Sequence, residues 1–184
     1  ERDFLGLAKQ DDITRFNLSL ETTPFRGAVL VTPWCVGRQL EPAPHGTMVT
    51  ALLRQVVAWA RSELPVLEDR GSTGLGGMSS GGLWAIYCGS ACSDLFGTVV
   101  ATQPFTEDLL RPLRGAVRAR SEPQRLRLVT SELDHQREPT ELLSSALRAD
   151  GIEHELVHYL GGHSAQFAQG PGGLDALLVF DRAL

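Results

Sequence analysis

The chain has 184 residues, of which 42% are hydrophobic and 21% are charged, and its formal net charge is −5. This length predicts one domain over residues 1–184, large enough for a core of its own. The acidic balance argues against nucleic acid or an anionic membrane surface as the main partner. No apolar run approaches the ~20 residues of a membrane span, and the given N-terminus has no signal-like segment, so we expect a cytoplasmic protein.

Apolar runs and helical patterns alternate along the chain. Continuous apolar runs predict buried strands, and capped segments between them predict helices. In chain order, the pattern predicts strands over 15–20 and 27–32, a loop over 34–46, a helix from Thr47 or Thr50 to about Ser62, a strand over 72–76, a helix over 83–88, strands over 96–102 and 126–130, a helix over 139–150, a strand over 152–159, a loop over 161–163 and a helix over 174–184. This alternation predicts an α/β fold, with a mostly parallel sheet flanked by helices.

The three cysteines do not form a disulfide framework, because their number is odd and small. They are Cys35, Cys88 and Cys92. We expect Cys88 and Cys92 to pack as small apolar residues instead of binding a metal.

The segment Gly77-Met78-Ser79-Ser80-Gly81 fits the pattern G-x-S-x-G. In this pattern a serine lies on a sharp turn between a strand and a helix, and small residues surround it because the helix packs closely. The predicted strand, turn, helix and strand follow one another in the required order. Ser79 is therefore the candidate nucleophile.

A serine nucleophile needs a histidine to take its proton and a carboxylate to orient that histidine. For this motif the acid and then the base follow the serine in sequence. His163, after the last predicted strand, is the candidate base. Asp134 is the preferred acid, Glu132 is the alternative and Glu138 is a third, weaker candidate, although each of these side chains also fits an ordinary surface role.

The oxyanion hole needs two backbone N–H donors near the nucleophile. The Ser80 amide is the first candidate, since this residue follows Ser79. The second candidate is the amide of Trp34 or Cys35, in the loop after the strand over 27–32, because Pro33 has no N–H.

The segments 77–83, 95–97 and 159–163 resemble the α/β-hydrolases, in particular the esterases related to enterochelin esterase, esterase D and the mycolyltransferases. The resemblance covers about residues 72–168. It implies a compact α/β-hydrolase domain and a Ser79–His163–Asp134 site that cleaves a small-molecule carboxylic ester, lactone or acyl-thioester through an acyl-enzyme. No cofactor and no metal is expected, and no particular oligomeric state is implied. An acyltransferase with the same triad and a non-catalytic binding protein are the alternatives.

A second motif, His154-Glu155-Leu156-Val157-His158, fits the zinc-protease pattern H-E-x-x-H. That chemistry needs a helix, which places both histidines at one ion. The segment between Gly151 and Gly161 favours a strand, with the two histidines on one face and Glu155 on the other. A zinc hydrolase is therefore the least favoured alternative.

Overall fold

The computed structural model describes Thr22, residues 27–32 and residues 42–183. In chain order, the helices and strands of residues 42–183 are α1 (Pro42–Glu63), β1 (Gly74–Met78), α2 (Ser80–Ala91), β2 (Thr98–Thr102), α3 (Leu110–Arg118), β3 (Arg125–Leu133), α4 (Arg137–Ala149), β4 (Glu155–Gly162), α5 (Ala165–Gln169) and α6 (Pro171–Arg182). Each helix in this region is too short or too polar to cross a membrane.

The four strands form one parallel sheet in the order β1-β2-β3-β4. Each connection between neighbouring strands contains a helix, as a parallel sheet requires. The prediction of an α/β fold with a parallel sheet is therefore confirmed. Because all four strands run in one direction, the residues that follow them lie at one edge of the sheet.

Successive strand residues point to opposite faces of the sheet, and each face is covered by helices. One core cluster joins alternate residues of β2 and β3 to α2, α3 and α4; its members include Leu83, Ile86, Val99, Leu113, Leu128 and Leu143. A second cluster on the opposite face contains Val100, Val129, Phe167 and Val179, and so joins the sheet to α5 and α6. The site-bearing edge is therefore supported from both sides.

Helix α1 packs on α2 through a third cluster. Leu53 and Val57 of α1 meet Cys88, Cys92 and Phe96 there. Both cysteines are fully buried, which agrees with the prediction that they act as packing residues.

A partly buried polar network fixes α6 to the sheet. Two nitrogens of Arg127, in β3, donate to the carboxylate of Asp175, in α6, at 2.7 and 2.5 Å. The Tyr159 hydroxyl donates to the same carboxylate at 2.7 Å. Burial and the Asp175 charge raise the pKa of Tyr159, so its hydroxyl stays a donor.

The predicted strand over 27–32 is wrong. These residues have no strand structure, and Val29 and Leu30 are 52% and 65% exposed. An apolar run becomes a strand only when a neighbouring strand takes up its backbone hydrogen bonds, and this run pairs with none of the described strands. The predicted strand over 15–20 lies outside the described residues.

Several element boundaries also differ from the predictions, and two helices, α3 and α5, were not predicted. Helix α1 begins at Pro42, so residues 42–46 do not belong to a loop and neither Thr47 nor Thr50 is its cap; proline is tolerated in a first helical turn, where its missing N–H is not needed. Strand β4 continues through Gly162 instead of ending at 159. Helix α3 was not predicted, because Pro112 and Gly115 obscure the helical spacing of its buried residues Leu113 and Val117.

Candidate active site

Ser79 lies on the turn between β1 and α2 in a strained backbone conformation. Its φ and ψ are 55° and −119°, a region that residues with a side chain rarely adopt. Backbone hydrogen bonds hold it there: Ser79 N–H donates to Thr102 O at 3.0 Å, and Ser79 O accepts from Phe105 N–H at 3.0 Å. The end of β2 and the loop after it therefore impose the conformation that presents this serine.

Gly77, in the motif, and Gly82, directly after it, are closely packed around that turn. A Cβ placed on Gly77 would lie 2.4 Å from Gly81 O, and a Cβ on Gly82 would lie 3.0 Å from Pro104 Cα. Side chains at these two positions would push α2 away from β1 and from the chain after β2. The structure thus gives the physical reason for small residues on both sides of Ser79.

The amide of Ser80 is at the first position of α2. The first N–H groups of a helix have no acceptor within the helix, and they form the positive end of its dipole. The start of α2 can therefore donate to an anion that forms beside Ser79. Trp34 and Cys35, the candidates for the second donor, lie outside the described residues.

Asp134 and His163 are hydrogen bonded. Asp134 Oδ1 is 2.8 Å from His163 Nδ1, and the Asp134 side chain is fully buried. The same oxygen accepts from Gln136 N–H at 2.9 Å, and Oδ2 accepts from the Thr130 hydroxyl at 2.9 Å. The Asp134 carboxylate is therefore held in position by two hydrogen bonds besides the one to His163. With Nδ1 donating to Asp134, Nε2 of His163 is the ring nitrogen that can accept a proton.

Glu132 and Glu138, the other candidate acids, are exposed. The chain turns after β3, where Asp134 N–H donates to Ser131 O at 3.1 Å. Asp134 is buried behind this turn, whereas Glu132 stays in solvent. The structure therefore brings Asp134 to His163, and it brings neither glutamate there.

Gln103, directly after β2, was not assigned a role from the sequence. It is fully buried and has a φ of 44°. Its Nε2 donates to Ser131 Oγ at 2.7 Å and to Gly162 O at 3.1 Å. Gly162 precedes His163, so Gln103 connects the end of β2 to the chain that carries His163. The signal in the sequence was a glutamine at the carboxyl end of a buried strand, where sites of parallel sheets form.

His135 was also missed. Its exposed ring lies against the ring of His163, with a distance of 4.4 Å between the centroids and 48° between the planes. It directly follows Asp134 in the chain, so the turn that buries the carboxylate also places a second imidazole beside the first.

The H-E-x-x-H segment does not form a zinc-protease site. His154 Nε2 lies 2.7 Å from Ser144 Oγ, and His158 Nε2 lies 2.9 Å from Glu141 Oε1, so both histidines face α4. Glu155 pairs with arginines of β3 on the opposite face. The strand prediction is therefore correct in β4, and strand alternation separates the glutamate from the two histidines.

No family model matches the sequence, and no curated protein matches it. Solved structures do match the fold. The S-formylglutathione hydrolase of Staphylococcus aureus superposes with a TM-score of 0.65 at 15% identity, over 74% of this chain and 62% of that one. A ferulic acid esterase of Anaeromyces mucronatus gives 0.63 at 21% identity, over 83% and 59%. The enterobactin esterase of Shigella flexneri gives 0.62 at 20% identity, over 72% and 37%.

These proteins are esterases and hydrolases of the α/β-hydrolase type, and the chain described here has the same fold. In each of the three comparisons the chain spans less than two thirds of the other protein. At such low identities the likeness establishes the fold and not the chemistry.

Proposed function

We propose that the protein is a serine hydrolase in which Ser79 is the nucleophile, His163 the general base and Asp134 the residue that orients the base. The observation that carries the proposal is the strained conformation of Ser79 at the start of α2, combined with the Asp134–His163 hydrogen bond. Ser79 follows β1, Asp134 follows β3 and His163 follows β4 of one parallel sheet, so all three residues lie at the same edge. A strained backbone conformation costs stability, so its presence at a serine next to the first amides of a helix supports a functional role.

Each residue has a defined task in the proposed reaction. Ser79 Oγ attacks the acyl carbon while His163 Nε2 takes the hydroxyl proton, and Asp134 stabilises the imidazolium that forms. The Ser80 N–H donates to the oxyanion. The imidazolium then protonates the leaving group, and water attacks the acyl-enzyme with His163 again acting as base. An acceptor alcohol in place of water would give an acyltransferase with the same residues.

The proposed substrates are small-molecule carboxylic esters, lactones or thioesters, cleaved within one domain over residues 1–184. The structural neighbours support this class, because they include ferulic acid and enterobactin esterases and an S-formylglutathione hydrolase. One of the neighbours is also described as a fluorophosphonate-binding serine hydrolase. A fluorophosphonate is therefore the appropriate first probe, since it requires an activated serine and no knowledge of the natural acyl group.

The test is intact-mass spectrometry after incubation with a fluorophosphonate. Wild type is expected to gain one adduct, Ser79→Ala none, and His163→Ala an adduct that forms about a thousandfold or more slowly, because the base is missing. Ser80→Ala is the matched control: it removes a neighbouring hydroxyl and keeps the backbone N–H, so it should react like wild type. A folded wild type that gains no adduct would refute the hydrolase proposal and leave a binding protein as the alternative.

A further inference from the structure

Asp134, His135 and His163 place three potential metal ligands close together. One ligand atom from each side chain lies within 4.8 Å of the other two. We infer that these residues bind a divalent transition-metal ion of the zinc type and that the bound ion blocks the site. The binding half stands on the geometry alone, and the blocking half rests on the proposed hydrolase function.

The geometry requires only a small movement. Tetrahedral zinc with bonds of about 2.0–2.2 Å holds its ligands roughly 3.4 Å apart. Asp134 Oδ1 and His163 Nδ1 are 2.8 Å apart, so they need to separate by only about 0.6 Å, and Thr130 and Gln136 orient the carboxylate. The third ligand, His135, is exposed, so its ring has room to move the remaining distance, which is at most about 1.4 Å. Two of the three ligands are therefore preorganised.

The charge of the cluster favours a cation. The hydrogen bonds of the Asp134 carboxylate come from the Thr130 hydroxyl, the Gln136 amide and His163, which are neutral donors when the imidazole is uncharged. Its negative charge is therefore not balanced by these contacts. Imidazole nitrogens and a carboxylate oxygen form a typical donor set for zinc, and the three protein ligands leave a fourth position for water.

A metal ion on His163 would remove its proposed function through either ring nitrogen. If Nε2 binds the ion, the atom that takes the serine proton is occupied. If Nδ1 binds it, the single ring proton moves from Nδ1 to Nε2, so Nε2 can no longer take the serine proton, and the Asp134 carboxylate becomes a metal ligand. His135 contributes the ligand that distinguishes this cluster from an ordinary Asp–His pair.

The binding test is calorimetric titration of the untagged Ser79→Ala protein with zinc chloride, which measures binding in a protein without the nucleophile. We expect one ion per chain. Adding His135→Phe, which keeps an aromatic ring against His163 and removes both nitrogens, should weaken binding at least tenfold, since lost supporting groups alone cost 10–100-fold. His158→Gln, a histidine in β4 outside the cluster, should leave binding unchanged. Binding that is not stoichiometric, or that does not weaken in His135→Phe, would overturn the inference.

The blocking half is tested by the rate of fluorophosphonate labelling with and without zinc. Zinc should slow labelling of wild type, EDTA should restore it, and His135→Phe should need at least tenfold more zinc for the same fractional effect. Labelling that continues at full rate with zinc bound would overturn this half. If wild type is not labelled at all but the Ser79→Ala protein binds zinc through His135, the hydrolase proposal fails and the metal site stands.

Discussion

Gly77→Ala is expected to destabilise the fold because α2 leaves no room for a side chain at the end of β1. The new Cβ would lie 2.4, 2.5 and 2.9 Å from Gly81 O, C and Cα. These are backbone atoms, so no side-chain rotation can relieve the contact. The φ of Gly77 is not positive, so alanine can adopt its backbone conformation. The cost is therefore steric and not conformational.

The size of the effect follows from the overlap. The Cβ contacts of 2.4 and 2.5 Å are about 1–1.5 Å shorter than ordinary van der Waals contact, so the first turn of α2 must move by a similar distance. Forcing an extra methyl group into a packed site typically costs about 1–3 kcal/mol of unfolding free energy. For a chain of this size, each kcal/mol lowers Tm by about 2–4 °C, which gives an expected decrease of about 2–12 °C.

Gly81→Ala is the matched control, because it makes the same chemical change four residues later in the same motif. A Cβ on Gly81 would meet nothing within 4 Å. Alanine is favoured over glycine in a helix by up to about 1 kcal/mol, so this variant should unfold at the same temperature as wild type or up to about 4 °C higher.

Thermal and urea unfolding of the two variants, followed by circular dichroism, compares the signs directly. The variants should move in opposite directions, or Gly77→Ala alone should lose stability. If Gly77→Ala is as stable as wild type, or if both variants lose stability equally, the argument from close packing of α2 on β1 is refuted.

Two further predictions concern hydrogen bonds that join separate elements. Gln103→Met keeps the length of the side chain and removes its hydrogen bonds to Ser131 and Gly162, so it should lower the free energy of unfolding by about 1–3 kcal/mol. It should also lower kcat, and change it more than KM, because the chain before His163 is no longer held. Unchanged kcat in a correctly folded variant would show that Gln103 does not position His163. Arg114 holds the pKa of Asp150 below its usual range, so the pair contributes stability above about pH 4 and loses it as the pH falls through the lowered pKa. The Tm advantage of wild type over Arg114→Met should therefore be present at pH 7 and shrink below pH 4, and an advantage that is independent of pH would contradict this origin.

The parts of the fold that were predictable are those set by neighbouring residues. The run after residue 96 is apolar because β2 is buried on both faces, and residues 83–88 after the Ser79 turn contain no helix breaker. The run over 27–32 shows where such reasoning fails: its composition suits a strand, but a strand also needs a partner, and composition does not supply one. For helix α3 the sequence pattern errs in the opposite direction, because the buried contacts of the helix outweigh its local breakers.

The sequence by itself indicated the strand–turn–helix around Ser79, because the residues of that pattern are neighbours in the chain, and it indicated that an acid and a base would follow in order. Only the tertiary structure decided that Asp134 and not Glu132 meets His163, that Gln103 connects the strand ends, and that His135 lies against His163. Parallel packing of the strands brings together residues that are 28 or more positions apart in the chain, such as Gln103 and Ser131. Contacts at such separations depend on the register of the whole sheet, which no local pattern of residues encodes.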